Sequence, residues 1–223
     1  MKDFFKNNAS VIIVYLLLLS TGIFFVLNYD KKDIHLRLNS LVGFAPVDYF
    51  FFAITYLGDG ALAFFMLLAI IVINVRAGIY ATVSFLCASL TSNILKRMFF
   101  DDVNRPFFVF NYFTNHKLKL IEGVDIHIHN SFPSGHATQA FAILMCLVFF
   151  LNKPALKWLF FLLAVFTAYS RVHLSQHWLV DVCAGSMVGV FFSTIFYVVF
   201  IHRNILETLN RPAVILIRYW RSK

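Results

Sequence analysis

The stretch PSGHATQAFAILMCLVFFL, residues 133–151, decides the fold, because a short polar head is followed at once by a long apolar run. That order is typical of a helix that begins at a membrane surface and continues into hydrocarbon. Two further polar patches border apolar segments in the same way: Arg105-Pro106, and Ser170-Arg171 with His177 and Asp181. These patches hold most of the chemistry in an otherwise apolar chain.

The composition excludes an ordinary soluble domain. The chain has 223 residues, of which 60% are hydrophobic and 13% charged, and its mean hydropathy is +0.77. A soluble protein of this length needs far more polar surface, so we predict an all-α, polytopic membrane protein. The net charge of +8 comes from basic residues scattered among apolar segments. That distribution argues against nucleic-acid binding and favours an anionic membrane surface or substrate as partner.

The apolar runs predict about six transmembrane helices in one domain, residues 1–201. The runs lie at 11–27, 61–75, 79–95, 134–151, 158–169 and 181–201. A shorter run, 47–56, predicts an interfacial or partly buried helix. Residues 202–223 form a basic tail, and its part 210–223 mixes arginines with apolar residues. For that segment the sequence is compatible with either an interfacial helix or a frayed basic tail.

The distribution of basic residues predicts the orientation in the membrane. Six helices place both termini on one side, with ten basic residues there and nine on the other. Four of the nine (Lys96, Arg97, Arg105 and Arg171) belong to the polar patches or shortly precede one, and setting them aside leaves ten against five. The excess predicts cytoplasmic termini, with the patches facing the periplasm or the outside. We expect the membrane to be a bacterial inner membrane.

The patches carry the residue types that bind and attack a phosphoryl group. Ser134 is a candidate helix cap, and Gly135 lets an anion approach the free amides of the first helical turn. Arg105 and Arg171 offer planar forks to phosphate oxygens, with Lys96 as a mobile point charge. The oligomeric state does not follow from the sequence.

The histidines and the carboxylate predict acid–base and nucleophilic chemistry. His177 and Asp181 are four residues apart, which predicts a shared face of one helical turn. A carboxylate beside imidazole fixes the tautomer and supports the positive charge that develops when the ring attacks. His136 is then free to act as general acid.

At these positions the sequence resembles the type 2 phosphatidic acid phosphatase superfamily. Pro133-Ser134-Gly135-His136 and Ser170-Arg171-x5-His177-x3-Asp181 are similar to its second and third motifs without a gap. The first motif departs from the family pattern, which has six residues between lysine and Arg-Pro. Here eight residues separate Lys96 from Arg105 and seven separate Arg97 from it. Either cation can therefore take the lysine's part.

The resemblance implies a metal-independent, cofactor-free lipid phosphatase that works through a phosphohistidine on His177. It implies that Asp181 assists His177, that His136 protonates the leaving group, and that Lys96, Arg105, Ser134, Gly135 and Arg171 bind the phosphoryl oxygens. Undecaprenyl diphosphate, phosphatidate and phosphatidylglycerophosphate resemble the substrates of this family. A lipid A phosphatase and a lipid phosphotransferase with the same site are alternatives. A membrane transporter is the alternative of another class.

Some polar residues favour structural roles. Alternating His127 and His129 fit the solvent side of a short loop strand better than a metal site. Asp59 between two glycines is a candidate helix cap, and the Gly185/Gly189 spacing indicates helix packing. His173 stands where many family members have an aromatic residue, which suggests that it lines the site.

Overall fold

The computed structural model describes residues 2–215 and is all-helical over that range, which confirms the predicted fold class. The α-helices are α1 (Lys2–Asn28), α2 (Lys31–Leu38), α3 (Ala45–Ile54), α4 (Gly60–Ile73), α5 (Val75–Ile94), α6 (Pro106–Phe113), α7 (Gly135–Phe150), α8 (Pro154–His173) and α9 (Leu179–Phe196). Short 3-10 turns lie at Thr55–Gly58 and Glu207–Leu209, and π-helical turns extend α5 (Leu95–Phe99) and α9 (Tyr197–His202). Of the predicted tail, 216–223 lie outside the described residues.

Within residues 2–215, four helices are long and apolar enough to cross a membrane: α1, α5 with its π-turn, α8, and α9 with its π-turn. A bent pair, Ala45–Gly58 and Gly60–Ile73, is a fifth candidate, with an angle of 63° between its arms. The predicted interfacial helix 47–56 and second span 61–75 are these two arms. Helix α4, with 14 residues, is about 21 Å long and does not span the bilayer alone.

Helix α7 forms the centre of the bundle. It has 16 residues and packs against α5, α8 and α9. Apolar residues cover every side of it, and Ala137, Ala140, Ala142 and Ile143 have no exposed surface. A helix that is apolar all round belongs in the interior, which explains the quoted run 133–151.

Two glycines allow α9 to lie close against α7. A Cβ added at Gly185 would come within 2.5 Å of the Ser134 carbonyl oxygen, and one at Gly189 within 2.7 Å of the Thr138 carbonyl. Any larger residue would force the two helices apart. The prediction that this spacing serves helix packing is confirmed.

Helix α1 lies at the periphery. It buries only a narrow stripe that includes Phe4, Val11 and Tyr15, and it exposes Leu16, Leu17 and Phe24. In a membrane such apolar surface faces lipid without cost.

The helix ends separate into two faces of the bundle. At one face the end of α8 meets the starts of α7 and α9, where the Ser134 amide donates to the Asp181 carbonyl at 3.0 Å. At the other face the starts of α1 and α8 meet, and Lys157 donates to the Asn7 carbonyl at 3.0 Å. We call these the patch face and the opposite face.

Candidate active site

His177 and Asp181 form the centre of the patch face. One carboxylate oxygen of Asp181, Oδ2, lies 3.3 Å from His177 Nδ1 and accepts hydrogen bonds from Ser131 Oγ at 2.5 Å and the Trp178 amide at 2.9 Å. Asp181 is fully buried and His177 is 2% exposed. With Nδ1 directed at the carboxylate, Nε2 is the ring nitrogen left for a ligand.

The spacing predicted that His177 and Asp181 share a helical turn, and this prediction is wrong. Helix α9 begins at Leu179, so His177 precedes the helix and Asp181 lies within its first turn. The carboxylate accepts from the Trp178 amide in the manner of a helix cap, and this contact fixes its position. The predicted proximity of His177 and Asp181 is confirmed, but it arises because Asp181 accepts a hydrogen bond at the start of α9.

The turn that carries His177 is held from several sides. The amides of Gln176 and His177 both donate to the Arg171 carbonyl, at 2.9 and 3.0 Å. Ser175 has a φ of 54°, and its hydroxyl accepts from Asn39 Nδ2 at 2.7 Å and lies 3.2 Å from His35 Nε2. The nucleophile candidate is therefore carried by an ordered turn.

Burial holds the pKa of His177 well below its usual value, and the charges of Arg105 and Arg171 lower it further. The imidazole is consequently neutral at physiological pH, which leaves Nε2 with a lone pair. A neutral ring beside a carboxylate is the form that can attack an electrophile.

The two arginines approach this pair from different elements. Arg171, at the end of α8, is 7% exposed; its Nη1 donates to Thr55 Oγ1 at 2.8 Å, and its buried Nε has no partner. Arg105 precedes α6, where its Nε donates to the His129 carbonyl at 2.8 Å and its Nη1 to Gln176. Burial lowers the pKa of Arg105 to about 10, and Asp181 opposes the shift, so the side chain stays charged.

The irregular first motif contains the π-turn at the end of α5. Lys96 is half-buried, and its charge interacts with those of Arg105, Asp181 and Arg171. Arg97 is exposed and lines a surface depression with Asn93, Ile94 and Met98. Of the two candidate cations, the structure brings Lys96 to the cluster and leaves Arg97 away from it.

The start of α7 completes the cluster. Ser134 caps the helix by accepting from the Ala137 amide at 3.4 Å, as predicted, and it is fully buried. A Cβ added at Gly135 would meet nothing within 4 Å, so open space lies in front of the helix start. His136 is within electrostatic range of Arg171, Lys96 and Arg105. Free amides and cations thus face one space, which can accommodate an anion.

Other predictions outside the cluster have mixed outcomes. Asp59 caps α4 by accepting from the Ala61 amide at 2.8 Å, as expected. The prediction that His173 lines the site is wrong: its Nε2 lies 2.8 Å from Asp48 Oδ1, and its ring packs on Phe51. It joins α8 to α3.

Several residues of the site were missed by sequence reasoning. Ser131, Gln176 and Thr55 contact Asp181, Arg105 and Arg171 respectively. Each contact joins positions at least 50 residues apart, and no local pattern signals it. Within 2–215, no group of three or more His, Cys, Asp or Glu is arranged to hold a metal ion.

The PAP2 superfamily model matches residues 76–205, which include every cluster residue described above from Lys96 to Asp181. The chain belongs to the PAP2 superfamily. The resemblance inferred from the three patches is confirmed. No curated protein matches the sequence.

Two solved structures share the fold. Aquifex aeolicus LpxE has a TM-score of 0.64 at 23% identity, over 74% of this chain and 92% of its own. The first transmembrane PAP2 type phosphatidylglycerolphosphate phosphatase from Bacillus subtilis has a TM-score of 0.60 at 22% identity, over 86% and 94%. These likenesses and the apolar helices support a membrane location for this PAP2 protein.

Proposed function

We propose that this protein is an integral membrane lipid phosphatase that hydrolyses a phosphomonoester or a diphosphate on a lipid. The observation that carries the proposal is the His177–Asp181 pair beside Arg171, whose buried Nε lacks a partner. An unpaired buried donor is costly, and a phosphate oxygen would satisfy it.

In the first step, Nε2 of His177 attacks phosphorus and forms a P–N bond. The negative charge of the bound phosphate offsets the charges of Arg171, Lys96 and Arg105, so that His136 takes up a proton when the substrate binds. The bond between phosphorus and the lipid oxygen breaks, and the protonated His136 gives that oxygen this proton. Asp181, held by Ser131 and the Trp178 amide, supports the positive charge that develops on His177.

In the second step, water attacks the phosphohistidine. His136, now neutral, takes a proton from the water as the P–N bond breaks. Inorganic phosphate leaves, and His177 regains its lone pair. Both protons pass through His136, so the reaction needs no external acid, base or cofactor.

The cations stabilise the negative charge that spreads over the phosphoryl oxygens in both steps. Arg171 contributes its free Nε, Arg105 is held in position by the His129 carbonyl, and Lys96 adds a mobile charge. The first-turn amides after Ser134 complete the cradle, with Gly135 leaving space for the oxygens.

The substrate class follows from the membrane setting. A cluster at the patch face of an apolar bundle suits a lipid whose tail stays in the bilayer while its phosphate reaches His177. Undecaprenyl diphosphate, phosphatidate and phosphatidylglycerophosphate fit this description, and lipid A is the alternative. The ten-to-five excess of basic residues supports cytoplasmic termini and a periplasmic site in a bacterial inner membrane.

A phosphate-release assay on a panel of these lipids tests the proposal. Purified wild type, His177→Ala and His136→Ala are compared with and without EDTA, and His116→Ala, an exposed histidine, is the matched control. We expect wild type and the control variant to release phosphate in the presence of EDTA. The rate of phosphate release should fall at least about a thousandfold in both site variants. Release that survives His177→Ala would overturn the mechanism, and loss in EDTA would overturn its metal-free form.

A further inference from the structure

The segment Asp125–Ser131, which we call the strap, lies against the site. The Arg105 amide donates to the Ile128 carbonyl at 2.9 Å, and Gln176 Nε2 donates to the Asp125 carbonyl at 3.1 Å. Arg105 belongs to the cation cluster and Gln176 precedes His177. The strap is therefore tied at two points to residues of the site.

The two histidines of the strap have different surroundings. His129 Nδ1 lies 2.8 Å from Asn104 Oδ1, and its ring packs on Phe108 of α6 at 5.1 Å. No hydrogen bond to the His127 side chain occurs within 2–215. Instead, His127 lies within electrostatic range of Arg105, Arg171 and Lys96, which come from three separate elements, and of the neighbouring Asp125.

His127 also interacts electrostatically with His136, the proposed general acid. Partial burial lowers the pKa of His127, and the charges of Arg105 and Arg171 lower it further, so the ring is neutral when the site is empty. A neutral imidazole carries one N–H donor and one acceptor nitrogen. His127 is thus an exposed polar group within electrostatic range of the acid.

We propose that His127 is a specificity-determining residue that hydrogen-bonds the leaving-group side of the phosphorylated lipid. This role of His127 rests on the proposed function. In an in-line displacement the leaving oxygen lies opposite the nucleophile, and the acid that protonates it lies on the same side. Because His127 accompanies His136, its ring meets the headgroup that departs: the second phosphate of a diphosphate, or the hydroxyls next to a phosphomonoester.

Both histidines are exposed, as predicted, and the proposal adds a substrate contact for His127. His129 keeps its loop role, with its side chain fixed on Asn104 and Phe108. The pair provides a variant and a matched control on the same strap, two residues apart.

The test measures steady-state kinetics with whichever lipid phosphate wild type hydrolyses fastest. We expect His127→Ala to lower kcat/KM about tenfold, mainly through a higher KM. In His127→Gln, which retains a hydrogen-bond donor, kcat/KM should lie within about threefold of the wild-type value. His129→Ala removes only the side chain and keeps the backbone carbonyl that holds Arg105, so it should stay within about twofold of wild type. Equal losses in His127→Ala and His129→Ala would indicate a structural role for the strap and overturn the proposal.

Inhibition by inorganic phosphate identifies the side of the substrate that His127 contacts. Phosphate mimics the transferred group and lacks the leaving group, so its inhibition constant should be unchanged in His127→Ala. A matching rise in that constant would place His127 on the transferred phosphate and contradict the assignment. Wild type that turns over with an unaffected His127→Ala refutes this inference alone, whereas wild type inactive on every lipid refutes the proposed function as well.

Discussion

Two buried arginines at opposite faces of the bundle show how this fold uses charge. Arg76, at the opposite face, is 4% exposed and donates to the carbonyls of Phe200 and Ile201 and to Asn204 Oδ1. Arg171, at the patch face, is 7% exposed, yet its Nη1 contacts Thr55 and its Nε has no partner. The two side chains are buried to a similar degree, but only the guanidinium of Arg171 has a buried donor without a hydrogen-bond partner.

The lysines repeat this contrast. Lys157 at the opposite face is 5% exposed, and its ammonium donates to the Asn7 carbonyl and to Asn8 Oδ1. Lys96 at the patch face lies among other cations, near Arg105 and Arg171. A buried cation whose donors are satisfied by carbonyl oxygens stabilises the fold, while cations gathered with donors to spare require an anion. The difference separates structural charge from functional charge.

The largest expected effect separates the two arginines. Arg171→Ala should lower kcat by about a thousandfold with little change in unfolding temperature, because its free donor is satisfied only when phosphate binds. Arg76→Ala should destabilise the fold by about 2–3 kcal/mol, because it leaves buried carbonyls without donors. Kinetics and thermal unfolding in detergent measure both. An Arg76→Ala variant that folds normally but is inactive would contradict the comparison.

A smaller effect distinguishes the two candidate cations of the first motif. Lys96→Ala should reduce kcat/KM by about a hundredfold, since the ammonium lies among the site charges. Arg97→Ala should stay within about threefold, since its side chain is exposed. The measurement is phosphate release from one lipid at fixed salt. A reversed order would assign the role to Arg97 and mean that the π-turn misplaces Lys96.

A glycine pair tests how closely the patch face must pack. A Cβ added at Gly58 would come within 2.7 Å of the His136 carbonyl oxygen, whereas one at Gly60 would meet nothing within 4 Å. Gly58→Ala should displace His136 and cost about thirtyfold in kcat. Gly60→Ala should leave kcat nearly unchanged, and equal losses in the two variants would refute the close-approach argument.

The smallest effect concerns the support of the His177 turn. Burial lowers the pKa of His35 from 6.5 to about 4, so the folded protein binds fewer protons there than the unfolded chain. The stability from neutral His35 is complete above about pH 6.5 and is lost as pH falls toward 4, with about 1 kcal/mol gone between about pH 7.5 and 5.5. His35→Phe, which keeps a ring against Trp178, should show a shallower fall in unfolding temperature. Identical slopes would exclude His35 as the cause.

The sequence predicts the chemistry well because its residues lie close together in the chain. Pro133-Ser134-Gly135-His136 starts a helix, so its cap and the open space at Gly135 follow from local geometry. The approach of His177 to Asp181 was also predictable from spacing, although the helix start that causes it was not. Local structure can be predicted from the sequence where one turn of the chain contains the whole motif.

The remaining features depend on contacts between distant segments. Nothing in the sequence indicates that Thr55 would contact Arg171, or that the strap would meet Arg105 and Gln176. The choice of Lys96 over Arg97 depends on a π-turn that adds a residue to the helical turn, which spacing rules for an α-helix do not include. The joining of the predicted interfacial helix and the second predicted span into one bent pair depends on the break at Asp59.

The most direct test of the central claim is the capture of phosphate on His177. Wild type is mixed with a radiolabelled lipid phosphate, denatured within milliseconds and digested, and the labelled peptide is sequenced. We expect an acid-labile, base-stable label on the peptide containing His177, present in wild type and absent from His177→Ala. A label on another residue, or single-turnover hydrolysis with no labelled protein at any time, would contradict the account.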